Sequence, residues 1–445
     1  MNPASRTTGD GPPGAQALMG SEGRHLPLWG LTIGALTVAT SLALLLVVAL
    51  RVLRYPGGAA PDFRIFLAAG HAIIDGANPY RPTTLGRLVN PHPMGGGPPP
   101  GLRFPYMPWV AYSFSAIARL PTGWAVALWE LGSVVVVAAT GWLLARELAV
   151  PHPAWAAAAV ATSGIATADY ALGETDAIML ALISFTLVAV MRGRVKSAAA
   201  AATAAALLKP QLAILLPVCV VLAFASGGPQ QRRAGTGALA TLVVLAGLPA
   251  LARPGMTASW VRLLISFSAS VSRSQVGLGG FDGLARLLPA GAARLAGTSL
   301  LVGLVVAAAG ILLCGATISW VRHSPWFMGD NQRLAQAWIL ALPLAIWLLA
   351  TPYSHPNDLL LAYPLSLLVL GPAPAEWRRP AVWAAFLIIL LGPTLFALIT
   401  GSLFHFTSLA GLWLLPLVVV AVVQLHHKVG QAPTISGPEL GLEHP

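Results

Sequence analysis

Long apolar runs, separated by short polar breaks, extend along the chain from residue 27 to residue 425. Such runs are long enough to cross the ~30 Å hydrocarbon core of a bilayer. Backbone polar groups inside lipid must bond to one another, and a helix satisfies them within one segment. The pattern therefore predicts twelve helices, at residues 27–53, 122–145, 153–170, 174–191, 197–208, 211–226, 236–252, 297–320, 334–350, 357–372, 380–398 and 404–425.

Two stretches do not fit a plain series of spans. Residues 106–120 are expected to lie at the membrane interface, or to dip into the membrane and return. Residues 197–226 are expected to form a hairpin of two short helices that meet near Lys209 and Pro210. A break at membrane depth is tolerated only where protein or a water-filled cavity surrounds it. The second stretch therefore indicates a site.

The positions of Lys and Arg predict one orientation. If the N-terminus is cytoplasmic, the basic groups of the short loops fall together on the cytoplasmic side; they are Arg146, Arg192, Arg194, Lys196, Arg232, Arg233, Arg322, Arg378, Arg379 and Lys428. We expect disordered cytoplasmic tails at 1–26 and 426–445 and one membrane domain at 27–425. Two long connections, 54–121 and 253–296, then lie outside the cell, and the first carries interfacial helices.

Composition supports an integral, all-α, polytopic membrane protein. Of the 445 residues, 56% are hydrophobic and 9% charged, and the mean hydropathy is +0.74, which excludes an ordinary soluble protein. The net charge of +11 fits the positive-inside rule and anionic headgroups better than nucleic acid. Cys219 and Cys314 lie in apolar runs and indicate neither a disulfide nor a metal site. The first run is too long for a signal-peptide core, so we expect an uncleaved anchor.

An aspartate opens the stretch "PDFRIFLAAGHAIIDGANPY", residues 61–80. Apolar residues at helical spacing follow Asp62, which predicts a helix on the membrane surface that closes in a turn at Tyr80. Asp62 has two compatible interpretations. It is a favoured N-cap residue, or it is a carboxylate at the boundary of water and lipid that takes a proton from a hydroxyl.

Two further motifs carry charge. "GETDA", residues 173–177, predicts a helix start, and Glu174 and Asp176 then either complement the helix dipole or bind a substrate or ion. "LLKPQL", residues 207–212, puts Lys209 at the tip of the buried hairpin. The ammonium group there either pairs with an anion such as a phosphate or snorkels to the interface.

Polar residues also gather in the connections assigned to the outer side. "TPYSHPNDLLL", residues 351–361, supplies donors and acceptors at Tyr353, His355, Asn357 and Asp358. Arg262 and Arg273 are candidates for clamping an anionic headgroup, or are solvated or lipid-facing. "FPYMPW", residues 104–109, containing Tyr106, is typical of an interfacial aromatic girdle. The sequence has no D-x-D motif and no Gly-rich nucleotide loop, and it indicates no metal or other cofactor.

The order of these elements resembles the polytopic GT-C glycosyltransferases, and most of all glycosyltransferase family 87, over residues 27–425. The resemblance is carried by "DFRIFLAAGHAIIDGANPY", "FPYMP", "GETD", "LLKPQL" and "TPYSHPND". The family includes actinobacterial mannosyltransferases, and an Ala-, Gly-, Pro- and Arg-rich chain with few Lys is compatible with such a GC-rich source. The chain departs from the family pattern at two places. The family commonly has Gly-Gln-x-Asn at 173–176 and Tyr-Pro-Pro at 104–108.

The resemblance implies a GT-C fold, an extracytoplasmic active site and a polyprenyl-phosphate sugar donor. It implies that Asp62 is the catalytic base and that Lys209 handles the donor phosphate, with the polar loop from Tyr353 to Asp358 near the donor. We expect inverting transfer, of mannose in the first instance, to a glycolipid or polysaccharide acceptor. Glu174, Asp176, Tyr80 and Tyr106 are expected to support the acceptor or the site.

Two other classes compete with this interpretation. A twelve-helix secondary transporter predicts repeated halves and ionisable residues at the membrane midplane, whereas the polar residues of this chain gather at the outer ends of helices. A non-catalytic binder of lipid-linked sugars would retain lipid-phosphate binding without sugar transfer.

Overall fold

The computed structural model describes residues 39, 43, 46, 60–81, 84–85, 103–150, 153–225, 229–271, 300–324, 332–351, 356–371 and 410–430. Within these residues the fold is helical and has no strand. The α-helices, α1 to α15 in chain order, are Pro61–Ile74, Pro108–Ile117, Thr122–Glu147, Pro153–Ala161, Gly164–Leu172, Asp176–Met191, Val195–Leu208, Pro210–Ala213, Leu215–Ala223, Pro229–Ala252, Pro254–Val271, Leu300–Arg322, Gln332–Ala350, Tyr363–Leu370 and Ala410–Gly430. A 3₁₀ helix, Pro356–Ala362, leads into α14.

Most of the predicted helices are present where the structure describes the chain. The prediction of one helix over 153–170 is wrong, because the chain breaks at Ser163, whose side chain accepts a hydrogen bond from Ala166 N at 3.2 Å and caps α5. The predicted helix 357–372 begins as a 3₁₀ turn. Part of the predicted loop 253–296 is helical as α11. Residues 27–53 (apart from three described positions) and 380–398 lie outside the described residues.

The predicted break at Lys209 is confirmed. Pro210 lacks a backbone N–H and restricts the residue before it. Lys209 accordingly leaves helical geometry, with φ −132° and ψ 79°. Helix α7 ends there, and α8 and α9 continue the chain while α9 packs back against α7.

Two helices in the described part of the chain, α3 and α13, are long and apolar enough to cross a membrane, and the bent pair of α10 and α11 would make a third span. Six shorter apolar segments of 10–17 residues accompany them. Helix α3 also exposes large apolar side chains, such as Trp124 at 68% and Leu131 at 64%, which suit contact with lipid better than contact with water. These features are those of a membrane protein, while the count of twelve spans stays a prediction.

Helix α1 packs in a small apolar core of its own. Phe66 stacks on Phe114 of α2 with ring centroids 4.7 Å apart, and Phe63 stacks on Trp129 of α3 at 4.8 Å. The apolar face of α1 is therefore covered by protein. A helix lying on the membrane surface would instead have this face covered by lipid. Trp260 of α11 donates to Pro105 O at 3.0 Å and so attaches α11 to this core.

Helices α6 and α7 pack side by side and connect two ends of different charge. Helix α6 begins at Asp176 and, at about 1.5 Å per residue, extends ~24 Å over its 16 residues. At its far end Arg192 pairs with Glu147 at 2.6 Å. Helix α7 begins at that basic end and returns the chain to Lys209. The carboxylates of the "GETD" motif and the ammonium of Lys209 thus come to the same end.

Replacing Gly70 should loosen the contact between α1 and α2. A Cβ at this position would lie 2.6 Å from Phe114 O, and backbone atoms cannot move aside cheaply. We expect Gly70→Ala to cost about 1–3 kcal/mol of stability, measured as a lower melting temperature of the detergent-solubilised protein.

Gly132→Ala is the matched control. Gly132 lies in α3, and none of the described atoms outside its own helix backbone would come within 4 Å of an added Cβ. Alanine favours a helix by about 1 kcal/mol over glycine. Equal melting temperatures for the two variants would contradict the tight contact at Gly70.

Candidate active site

A buried ammonium group lies among three carboxylates. Lys209 Nζ is 2.6 Å from Asp176 Oδ1, 3.2 Å from Asp358 Oδ1 and 3.2 Å from Glu174 Oε2. All four side chains are buried, with Asp176 fully inaccessible. We call these residues the Lys209 cluster. Burying a charge is costly unless it is paired, and the three carboxylates of this cluster share one partner of opposite sign.

Neutral polar groups hold the carboxylates of the Lys209 cluster in place. Asn357 Nδ2 donates to Asp176 Oδ2 at 2.6 Å. The Tyr106 hydroxyl donates to Glu174 Oε2 at 2.7 Å, and the Tyr80 hydroxyl donates to Tyr106 O at 2.9 Å. Residues that the sequence assigned to separate motifs therefore meet in one hydrogen-bonded group.

Local backbone structure explains how the "GETD" motif reaches this position. Gly173 ends α5 in the left-handed region, with φ 71°, a conformation that glycine adopts without steric cost. Its N–H donates to Asp169 O at 2.8 Å. The chain then turns, and Asp176 begins α6 three residues later. Glu174 precedes this helix, which corrects the expectation that it lies in the first turn.

Gly173 also brings Asp62 to the cluster. A Cβ on Gly173 would lie 2.8 Å from Ala60 Cβ and 2.6 Å from Phe63 Cβ, so the start of α1 packs directly on the glycine backbone. Asp62 lies between those two contact residues. It is in the first turn of α1, whereas the N-cap is Ala60, which makes no side-chain capping bond. The N-cap interpretation of Asp62 is therefore wrong.

The surroundings of Asp62 favour its protonated form. Asp62 is half-buried, and the negative charge of Glu174 acts on its carboxyl group. Burial first, and then the negative charge of Glu174, raise the pKa of Asp62 to about 8, although the Lys209 ammonium acts in the opposite direction. A carboxylate with this proton affinity is a stronger base than an exposed aspartate.

Asp169 is a charged residue of this region that the sequence interpretation did not select. It is fully buried in α5 and interacts electrostatically with Asp176, Lys209 and Glu174. Its position five residues before Glu174 puts it one helical turn below the "GETD" motif. That spacing was the only sign in the sequence that Asp169 lies near Glu174. It was missed because α5 was expected to be part of a longer helix.

The contacts of Lys209 favour another role than phosphate binding. Its ammonium group donates to Asp176 and Asp358 and pairs with Glu174, and the combined negative charge of these carboxylates would repel a phosphate. The aromatic residues of "FPYMPW" also have another role than a girdle. Phe104 is fully buried, and Tyr106 packs against Phe66 with ring centroids 4.7 Å apart.

Of the remaining predicted site residues, Arg262 is exposed on α11 and is not part of the cluster. The other three, Arg273, Tyr353 and His355, lie outside the described residues. Among the described residues, no three His, Cys, Asp or Glu side chains are arranged to hold a metal ion.

The arrangement combines a partly accessible carboxyl group with a rigid, buried charged support. Such a group is suited to accepting a proton from a hydroxyl at the surface of the cluster. The family model of glycosyltransferase family 87 matches residues 104–352, which include Tyr106, Glu174 and Lys209 and leave Asp62 outside. Searches of curated proteins and of solved structures gave no significant match. The matched segment is more than half of the 445 residues, and the chain belongs to glycosyltransferase family 87.

Proposed function

We propose that this membrane glycosyltransferase moves a sugar, mannose in the first instance, from a polyprenyl-phosphate donor to a cell-envelope glycolipid or polysaccharide. The observation that supports this most is the packing of Ala60 and Phe63, on either side of Asp62, against Gly173, the residue before Glu174 of the Lys209 cluster. It joins the carboxylate that the resemblance assigns as base to residues inside the segment matched by the family.

A lipid-linked donor agrees with the character of the chain. The sequence has no D-x-D motif and no glycine-rich phosphate loop for a nucleotide sugar. A polyprenyl chain requires an apolar surface, and α3 and α12 expose large apolar side chains, including Leu131 and Leu312. In this proposal the prenyl tail lies along residues 106–120 and an apolar groove between helices.

The proposed reaction is a single inverting displacement. Asp62 takes the proton of an acceptor hydroxyl while its oxygen forms a bond to the anomeric carbon of the donor. The bond from that carbon to the phosphate oxygen breaks on the opposite face, and the polyprenyl phosphate leaves with the electron pair. A phosphate is a stable leaving group, so this scheme needs one base and no second acid.

Lys209 acts in this proposal as the support of the site and not as a phosphate ligand. Its ammonium group fixes Glu174, Asp176 and Asp358 in one geometry and lowers the repulsion that Asp62 experiences on losing its proton. Phosphate binding then falls to Arg262, Arg273, Tyr353 or His355, which the sequence also selected.

The charge distribution supports an active site on the extracytoplasmic face. Helix α6 has the Lys209 cluster at its start and Arg192 after its end. Arg194 and Lys196 follow at the same basic end, which the positive-inside rule assigns to the cytoplasm. The cluster then lies near the outer surface of a multi-pass domain.

Asp62→Asn should abolish most sugar transfer. The amide keeps the size of the side chain but cannot accept the proton, so we expect a fall of roughly 10²- to 10⁴-fold. The assay is transfer of radiolabelled mannose from synthetic polyprenyl-phosphate mannose to membrane acceptors by the purified protein.

Asp75→Asn is the control for this assay, because Asp75 lies at the other end of α1 and is exposed. It should transfer sugar like the wild type. Full activity of Asp62→Asn would overturn the assignment of the base. Absence of transfer by a folded wild-type protein with several donors would overturn the reaction itself.

Lys209→Met should destabilise the fold strongly. Removing one member of a buried charged group leaves the others uncompensated, at a cost of about 3–5 kcal/mol. We expect a corresponding decrease in the free energy of unfolding, followed by tryptophan fluorescence during denaturant titration in detergent.

The matched change is Lys196→Met, at an exposed lysine in the first turn of α7. It should alter stability by no more than about 0.5 kcal/mol. If the two variants unfold at the same denaturant concentration, Lys209 is not the buried counterion of three carboxylates.

A further inference from the structure

We infer that the basic end of the helical bundle binds the phosphate groups of anionic phospholipids in the cytoplasmic leaflet. Basic residues gather there at the ends of α3, α6, α7 and α10, which pack side by side. We call them the basic collar: Arg146, Arg192, Arg194, Lys196, Arg232 and Arg233. All of them are exposed. The collar lies at the end of α6 opposite the Lys209 cluster, so the inference is independent of the proposed reaction.

The centre of the basic collar has a fixed geometry. Arg192 Nε and Nη2 donate to Glu147 Oε1 and Oε2 at 2.9 and 2.6 Å, which joins the ends of α3 and α6. Gly193 then turns the chain with φ 69°, and Arg194 N donates to Ala189 O at 2.7 Å. The turn between α6 and α7 therefore holds Arg194 beside the ion pair.

Positive charge exceeds negative charge at the basic collar. Among the described residues, Glu147 is the one acid at this end of the bundle, and its carboxylate pairs with Arg192. No described carboxylate pairs with Arg146, Arg194 or Lys196. Several cations held this close repel one another unless anions lie between them, and the phosphates of a membrane surface supply such anions.

The position of Arg146 favours lipid phosphates as those anions. Leu143 is 56% exposed and Trp142 39% exposed on the apolar side of α3, and residues three and four apart lie on the same side of a helix. Arg146 accordingly places its Cζ 5.5 Å from the centre of the Trp142 ring. Tryptophan is enriched where the headgroups begin. The lipid-facing side of α3 thus ends at the collar, at headgroup depth.

Helices α12 and α13 bring a further guanidinium group to this end. Gln336, in the first turns of α13, donates to Ala223 O at the end of α9, just before α10. Helix α12 packs along α13 with Gly310 beside Ala350, so its last residue, Arg322, comes to the basic end. Arg322 is half-buried, and its Nε is buried without a hydrogen-bond partner in the described part of the chain. An anionic oxygen would satisfy this donor.

The test is a titration of phosphatidylglycerol into the purified full chain in a neutral detergent. The melting temperature, followed by tryptophan fluorescence, should rise with phosphatidylglycerol and much less with phosphatidylcholine. The variant that carries both Arg146→Gln and Arg194→Gln removes two charges of the collar. Each such charge is worth about fivefold in affinity for an anionic surface, so half of the rise should require roughly 10- to 30-fold more phosphatidylglycerol.

The matched control carries Arg81→Gln and Arg119→Gln. It loses the same two charges, but from exposed arginines in the connection 54–121, away from the collar. Half of its rise should occur at the phosphatidylglycerol concentration found for the wild type. Equal concentrations for the wild type, the collar variant and the control would overturn the collar as the binding site.

Two further arms use the wild type alone and decide the matter if the collar variant does not fold. A rise with inorganic phosphate equal to that with phosphatidylglycerol would assign free phosphate as the ligand and overturn the contact with lipid. An equal rise with phosphatidylcholine would overturn the role of charge. Raising the salt from about 0.1 to about 1 M shortens the Debye length from ~10 to ~3 Å. The effect of phosphatidylglycerol should then shrink, and an unchanged effect contradicts the inference.

Discussion

The structure around the active site depends on one buried ammonium group. Lys209 joins the turn before α6, the first residue of α6 and the 3₁₀ helix that precedes α14. Each of these segments brings a carboxylate that would be too costly to bury without the ammonium, and the ammonium would be too costly to bury without them. The three segments must therefore assemble together. Asn357 and Tyr106 donate further hydrogen bonds to the carboxylates of Asp176 and Glu174.

The same group gives the site its chemistry. Three carboxylates surround one cation, so the cluster carries a surplus of negative charge that extends to its edge. Asp62 lies at that edge, half-buried and within the field of the negative charge of Glu174. A carboxyl group in such a field holds its proton more tightly than one in water, which makes it a better base once it is deprotonated. The interactions that stabilise the fold and those that tune the base are thus the same.

The sequence predicted the parts of this site better than their assembly. Helical periodicity, Pro210 and the polar motifs were sufficient to select Asp62, Glu174, Asp176, Lys209 and Asp358, because those signals are local. The partner of Lys209 was not predictable, since an ammonium in an apolar run pairs equally well with a phosphate, a headgroup or a carboxylate. The break at Ser163 was also missed, as its capping serine lies inside a largely apolar run. Asp169 was not selected because it lies in that same run, which was predicted as one continuous helix.

The contact that positions Asp62 is made by backbone and not by a polar side chain. Ala60 adopts the left-handed region with φ 46°, at a cost of about 1–3 kcal/mol for a residue other than glycine. Gly173, also left-handed, leaves room for Ala60 and Phe63 to approach its Cα closely. The strain at Ala60 persists because the stacking of Phe63 and Phe66 on their aromatic neighbours holds α1 in place. An apolar core thus determines how near the base lies to its charged support, and a larger side chain at residue 173 would separate the two without changing any ionisable group.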